Sequence, residues 1–132
     1  MAKKVFVSDK FPVAGPYSTA VEANGFVFLS GQLPINTASG EVIDDVAEGA
    51  RQVLQNIQMI LRENGLDMQD IVKTTIFLKS ISDFPLINEV YAKFFPTMPP
   101  ARSTVEVSAL PRGVKVEIEA IAAKKRRSKK NG

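Results

Sequence analysis

Apolar residues recur at Val46, Ala50, Val53, Leu54, Ile57, Ile60 and Leu61, in steps of three and four. That spacing lines one side of an α-helix with a single hydrophobic stripe. A helix of four or five turns gains most of its stability by laying such a stripe on another apolar surface, so the rest of the chain must provide that surface. Asp44 and Asp45 precede the stripe and offer a cap, Gly65 follows it as a stop, and Arg51, Gln55, Gln58 and Arg62 lie off it. A matching face stands near the other end of the sequence. Val114, Val116, Ile118 and Ala120 alternate with Lys115, Glu117 and Glu119, the two-residue period of a strand with one core face and one polar face.

The remaining segments fit a helix-on-sheet arrangement. Val5-Phe6-Val7 is short and β-rich, and Pro12 and Gly15-Pro16 then interrupt regular structure. Ser18–Ala23 and Phe26–Leu29 flank Asn24-Gly25, a strong two-residue hairpin signal, so residues 17–30 are expected to form an antiparallel hairpin whose second strand ends at Ser30-Gly31-Gln32. Residues 34–43 read as a surface turn. Ile71–Leu78 is a β-branched strand. Asp83 is placed to cap a second helix, with Pro85 in its first turn, a stripe of Leu86, Ile87, Val90, Tyr91, Phe94 and Phe95, and Pro96 as its stop. Met98-Pro99-Pro100 is a rigid link, Arg102–Val107 and Val114–Ala122 are strands, and Leu110–Gly113 is the loop between them. The order β-ββ-α-β-α-ββ predicts an α+β fold with two helices packed on one face of a sheet. With 132 residues, one domain over 1–123 is expected.

The composition removes much chemistry. The chain has no cysteine and no histidine, hence no disulfide, thiolate nucleophile, Cys/His metal site or imidazole base. Six of its seventeen basic residues lie between Lys124 and Lys130, leaving residues 1–123 with eleven basic and fourteen acidic side chains. The net charge of +3 therefore belongs to a basic tail on a mildly acidic body. Residues 124–132 read as a solvated, disordered end, with weak salt-sensitive RNA contact as the alternative use. No secretory signal and no membrane-length apolar run is visible, which with the absence of cysteine leads to the expectation of a cytoplasmic protein with no membrane partner.

Gly-x-Gly-x-x-Gly, Gly-Lys-Ser/Thr and Gly-x-Ser-x-Gly motifs are all missing. Three polar features interrupt the apolar pattern: Gly15-Pro16-Tyr17-Ser18, Ser30-Gly31-Gln32 and Pro100-Ala101-Arg102-Ser103-Thr104. Each has a purely structural reading. Tyr17 would be a half-buried core residue, Ser30-Gly31-Gln32 a turn, and Arg102 the ion-pair partner of Glu106 or Glu117.

Taken in order with Ile71-Val72-Lys73-Thr74-Thr75 and Val116-Glu117-Ile118-Glu119-Ala120-Ile121-Ala122, these segments resemble the RidA/YjgF family of reactive-intermediate deaminases, also called endoribonuclease L-PSP proteins, over about residues 3–123. The resemblance implies a chorismate-mutase-like α+β fold with a mixed sheet. It also implies a homotrimer with clefts between subunits, and hydrolysis of 2-aminoacrylate and related enamines and imines to 2-keto acids and ammonia without a cofactor or metal. It assigns Arg102 to the substrate carboxylate and Glu117 to the hydrolytic water, and it places Tyr17 in the cleft lining. Ser30, Gly31 and Asn88 fall at substrate-binding positions of the family, Gly31 by allowing close backbone approach. Glu119, two residues from Glu117 on the same face, is its nearest rival. Thr104 stands where many members carry cysteine, so thiol chemistry is lost while a hydroxyl at the site is kept. Two other uses stay open. One is a trimer that binds keto acids without turnover, and the other is RNA binding or cleavage, against which the acidic body argues.

Overall fold

In the computed structural model, residues 3–125 are described. Six strands form one sheet: β1 (Lys4–Phe6), β2 (Ala20–Ala23), β3 (Phe26–Gln32), β4 (Ile71–Leu78), β5 (Ala101–Glu106) and β6 (Val116–Ala123). The helices are α1 (Val46–Glu63) and α2 (Phe84–Phe94). The strand order is β1-β2-β3-β6-β4-β5, antiparallel except for β4 and β5, which run parallel through the β4–α2–β5 connection. Both helices pack on one face of this mixed sheet, as the sequence predicts.

Asn24 (φ 53°) and Gly25 (φ 82°) are both left-handed, the pair of angles a type I′ turn requires, and they close the β2–β3 hairpin. That hairpin differs from expectation at its far end. β3 does not stop at Leu29 but runs on to Gln32 through a register shift. Leu29 pairs with Ala120 and Gln32 with Ile118, so Ser30 and Gly31 together oppose Glu119 in a β-bulge. The last two strands also differ from a simple hairpin order. β6 inserts between β3 and β4, and β5 lies at the sheet edge beside β4.

The core lies between sheet and helices. Leu54, Ile57, Ile60 and Leu61 of α1 meet Ile76, Leu78 and Ile118 of the sheet, all fully buried. Truncating any one to alanine removes about 2–5 kcal/mol. Lys124 still belongs to this body, its N–H donating to Gly25 O and its Nζ lying 3.2 Å from Glu22. The remainder of the basic tail, residues 126–132, lies outside the described residues, and so does the expectation of disorder there. No helix among the described residues is long and apolar enough to cross a membrane.

The two helix starts are built differently. Asp45 Oδ2 accepts the Glu48 N–H at 2.9 Å. Asp83 occupies the N-cap of α2 but accepts no such bond, because its own backbone is already helical (φ −81°, ψ −3°) and ends a 3-10 turn from Ile81. Asp45→Ala is expected to cost about 1 kcal/mol in urea unfolding, and Asp83→Ala less than about 0.5 kcal/mol.

Candidate active site

The strand registers sort the candidate residues onto two sides of the sheet. Arg102 pairs with Thr74 and Thr104 with Ile76, whose side chains are buried against the helices. Arg102 and Thr104 therefore share the helix-covered face at its β5 edge. Glu117 pairs with Phe77 and Glu119 with Thr75, on the open face. Two interstrand spacings of about 4.8 Å, across β4, and the sheet itself separate Arg102 from Glu117 within one chain.

On the helix side, Arg102 lies over an aromatic shelf. Its guanidinium carbon is 4.9 Å from the centroid of Tyr91 and 5.3 Å from that of Phe84. Such stacking orients the guanidinium plane while leaving its N–H donors at the edges. The ion pairs with Glu106 or Glu117 considered from sequence do not form. Glu106 accepts the Ile81 N–H instead, and Glu117 is on the other face. Asn88 is half-buried on α2, four residues after Phe84 and three before Tyr91, hence on the same helical face as the shelf. The Thr104 hydroxyl is buried and has no hydrogen-bond partner among the described residues. A buried hydroxyl left in this state is costly, and it marks a position able to accept or donate to an incoming group.

The shelf itself was hidden in the sequence. Tyr91 counted only as one more member of an apolar helix stripe. It is buried, and its hydroxyl is 2.6 Å from Thr74 Oγ1. Burial pushes the phenol pKa up, against the opposing effects of Thr74 and of the Arg102 charge, so the ring stays neutral and its face stays available to the cation.

The open side gathers a second group. Glu117 lies against Gly31, where a Cβ would overlap the Glu117 carboxylate and come within 2.8 Å of its Cδ. Glycine at 31 is what lets the carboxyl group occupy that space. Burial, and then the neighbouring Glu119 charge, raise the Glu117 pKa, with no cation among the described residues opposing the shift. Ser30 is half-buried beside Gly31 and donates to Ser18 O at 2.6 Å, tying the bulge to the loop that carries Tyr17. Tyr17 is not a core residue. It is 54% exposed and lines a groove of about 340 Å³ together with Gly31. Among the described residues, no cluster of His, Cys, Asp and Glu is placed to hold a metal ion.

The candidate residues thus fall into two separate groups. Arg102, Thr104 and Asn88 make up one, and Glu117, Gly31, Ser30 and Tyr17 the other. The family model for endoribonuclease L-PSP matches residues 7–124. The chain belongs to the endoribonuclease L-PSP family. It is 45% identical to a 2-iminobutanoate/2-iminopropanoate deaminase of Escherichia coli over 126 residues, covering 92% of this chain and 98% of that protein. It is 48% identical to the chloroplastic Reactive Intermediate Deaminase A of Arabidopsis thaliana, over 91% of this chain and 65% of that one. The crystal structure of the YjgF gene product of Escherichia coli superposes with a TM-score of 0.87 at 44% identity, over 92% of this chain and 99% of that one.

Two outcomes follow for this family member. The raised pKa means that the folded state holds the Glu117 proton more tightly than the unfolded chain. The charged carboxylate therefore costs stability above its folded pKa, and the cost disappears below the ordinary carboxyl range, where both states are protonated. Glu117→Gln is expected to raise the melting temperature near pH 7, with the gain closing as the pH falls below about 4. Tyr91→Phe keeps the π face and loses the Thr74 bond. Tyr91→Leu loses both, and is expected to raise KM for a carboxylate substrate at least tenfold more than Tyr91→Phe does, with the smaller change in kcat.

Proposed function

We propose that the chain hydrolyses 2-imino acids and their enamine tautomers, 2-aminoacrylate among them, to 2-keto acids and ammonia. The observation that carries this reading is Arg102, an always-charged planar fork held on an aromatic shelf and paired with no carboxylate among the described residues. Such a group suits a substrate carboxylate. The deaminase names borne by relatives at 45–48% identity support the same reaction class.

The chemistry needs little beyond these residues. Water adds to the C=N carbon of 2-iminopropanoate, the carbinolamine loses ammonia, and pyruvate results. Glu117, with its raised pKa, can take the proton from the attacking water and return it to the departing nitrogen. Thr104 Oγ1 and Asn88 are polar groups on the same side as Arg102, and Ser30 and Tyr17 are grouped with Gly31, which lies against Glu117. An imine is already electrophilic, so positioning and proton transfer supply what remains of the barrier.

The two half-sites lie on opposite faces of one chain, which supports a site shared between two copies. The open face supports it too, because Phe26, Phe28 and Val105 each leave about two fifths of their surface exposed there. A closed ring of three copies is the assembly proposed, and sedimentation should give about three times 14.4 kDa.

The test supplies 2-aminoacrylate from a serine dehydratase and follows pyruvate. Arg102→Ala and Glu117→Gln are each expected to lose turnover, Arg102→Ala with loss of keto-acid binding and Glu117→Gln with binding retained. Equal mixtures of the two variants, refolded together, are expected to recover about a quarter of wild-type activity, since random mixing joins two intact halves at that fraction of shared sites. No recovery in mixed oligomers would place the whole site within one chain. Full activity of Arg102→Ala would remove the proposed anchor.

A further inference from the structure

The groove beside Tyr17 and Gly31 runs between the N-terminal loop and residues 31–40. Its floor is apolar, formed by Phe11, Leu33 and Ile35. Most of its polar lining is already committed to the backbone. Thr19 Oγ1 donates to Phe11 O, Gln32 Nε2 to Ser30 O, and Asn56 Nδ2 to Leu33 O and Ile35 O. Asn36 Oδ1 accepts from the N–H groups of Ala38 and Ser39. The charged residues of the lining are Lys10 and Arg112, and among the described residues no carboxylate lines the groove. Lys10 leans towards Glu63 at 3.9 Å, which leaves Arg112 as the cation not paired within the described residues. Arg112 sits in the tight turn Pro111–Gly113 with a left-handed backbone (φ 59°, ψ 17°), a conformation few non-glycine residues adopt.

The groove is therefore apolar below and positive at Arg112, and it shares Gly31 with the Glu117 carboxyl. A volume of about 340 Å³ is within the range of small-molecule sites. We propose that it receives the substrate side chain, and that Arg112 grips a second, distal carboxylate, so that the chain favours 2-imino dicarboxylic acids over 2-imino acids with alkyl side chains. This rests on the imine-hydrolase reading above. The step is the same in both classes: one water is consumed, the C=N bond becomes C=O, and one ammonia leaves. Such substrates arise wherever an oxidase or dehydrogenase acts on an acidic amino acid. The discriminating interaction is a guanidinium–carboxylate pair, made only by a substrate whose side chain ends in an anion.

The experiment generates the imines of aspartate and of alanine with flavin-dependent amino-acid oxidases, and reads hydrolysis by competition with semicarbazide. The expected result is a higher kcat/KM for the dicarboxylic imine. The ratio of the two kcat/KM values should fall at least tenfold in Arg112→Ala and reverse in Arg112→Glu, with Arg112→Lys in between. Arg112→Gly, which suits the left-handed backbone, should match Arg112→Ala and so separate loss of the guanidinium from disturbance of the turn. A second arm measures binding of 2-oxoglutarate and 2-oxobutanoate by calorimetry, without turnover. Preference for 2-oxoglutarate in the wild type, lost in Arg112→Ala, supports the groove assignment even if neither imine is hydrolysed, an outcome that would instead overturn the imine-hydrolase reading. A ratio unchanged in every Arg112 variant, or equal binding of the two keto acids, overturns the proposal while leaving hydrolysis of the alkyl imine to stand by itself.

Discussion

Two helices cover one face of a six-stranded sheet and leave the other to the sheet's own side chains. Because side chains alternate along a strand, this one-sided cover decides where each functional group can be. Arg102 and Thr104 go with Thr74 and Ile76 towards the helices, while Glu117 and Glu119 go with Phe77 and Thr75 to the open side. The same alternation puts half-exposed Phe26 and Phe28 on the same side as the acidic pair. The exposed apolar surface and the split of the polar residues between two sides thus have one cause.

Each of the two groups is held by a different device. On the helix side, rigidity comes from aromatic packing, with Arg102 on Tyr91, Tyr91 against Phe95 at 4.6 Å between centroids, and Tyr91 bound to Thr74. On the open side it comes from the missing side chain at Gly31 and from the bulge that presents Ser30 and Gly31 together. Burying the Glu117 carboxylate there, with the Glu119 carboxylate as neighbour, disfavours its charged form and raises its pKa. A charged carboxylate confined in this way costs stability above its folded pKa.

Much of this was readable in the sequence, for physical reasons. The 46–61 stripe, the Asn24-Gly25 turn and the 114–120 alternation are local patterns, and local patterns survive without knowledge of partners. The sharing of one face by Glu117 and Glu119 followed from the period of two alone. What the sequence did not reveal was non-local. The bulge at Ser30-Gly31 looks like a strand end until the register with β6 is known. Tyr91 is indistinguishable from a core aromatic until β5 is placed beside β4, which brings Arg102 over its ring. Asp83 had the right residue type for a cap, but the preceding 3-10 turn took the backbone geometry that capping needs. The separation of Arg102 from Glu117 depends on strand order, which no spacing in the sequence encodes.

The position of β6 also bears on how the molecule comes into being. β6 is the last of the six strands in the chain and yet pairs with both β3 and β4. During synthesis the β1–β3 ladder and the β4–α2–β5 unit emerge as separate pieces, each exposing an unpaired edge of backbone N–H and C=O groups. At roughly 5–20 residues per second, the stretch from the end of β4 to the end of β6 takes about 2–9 s to appear. Throughout that interval the α1 stripe has only part of its sheet to rest on. The nascent chain is then open to mispairing with its neighbours, and the arrival of a single strand ends that exposure for both pieces at once.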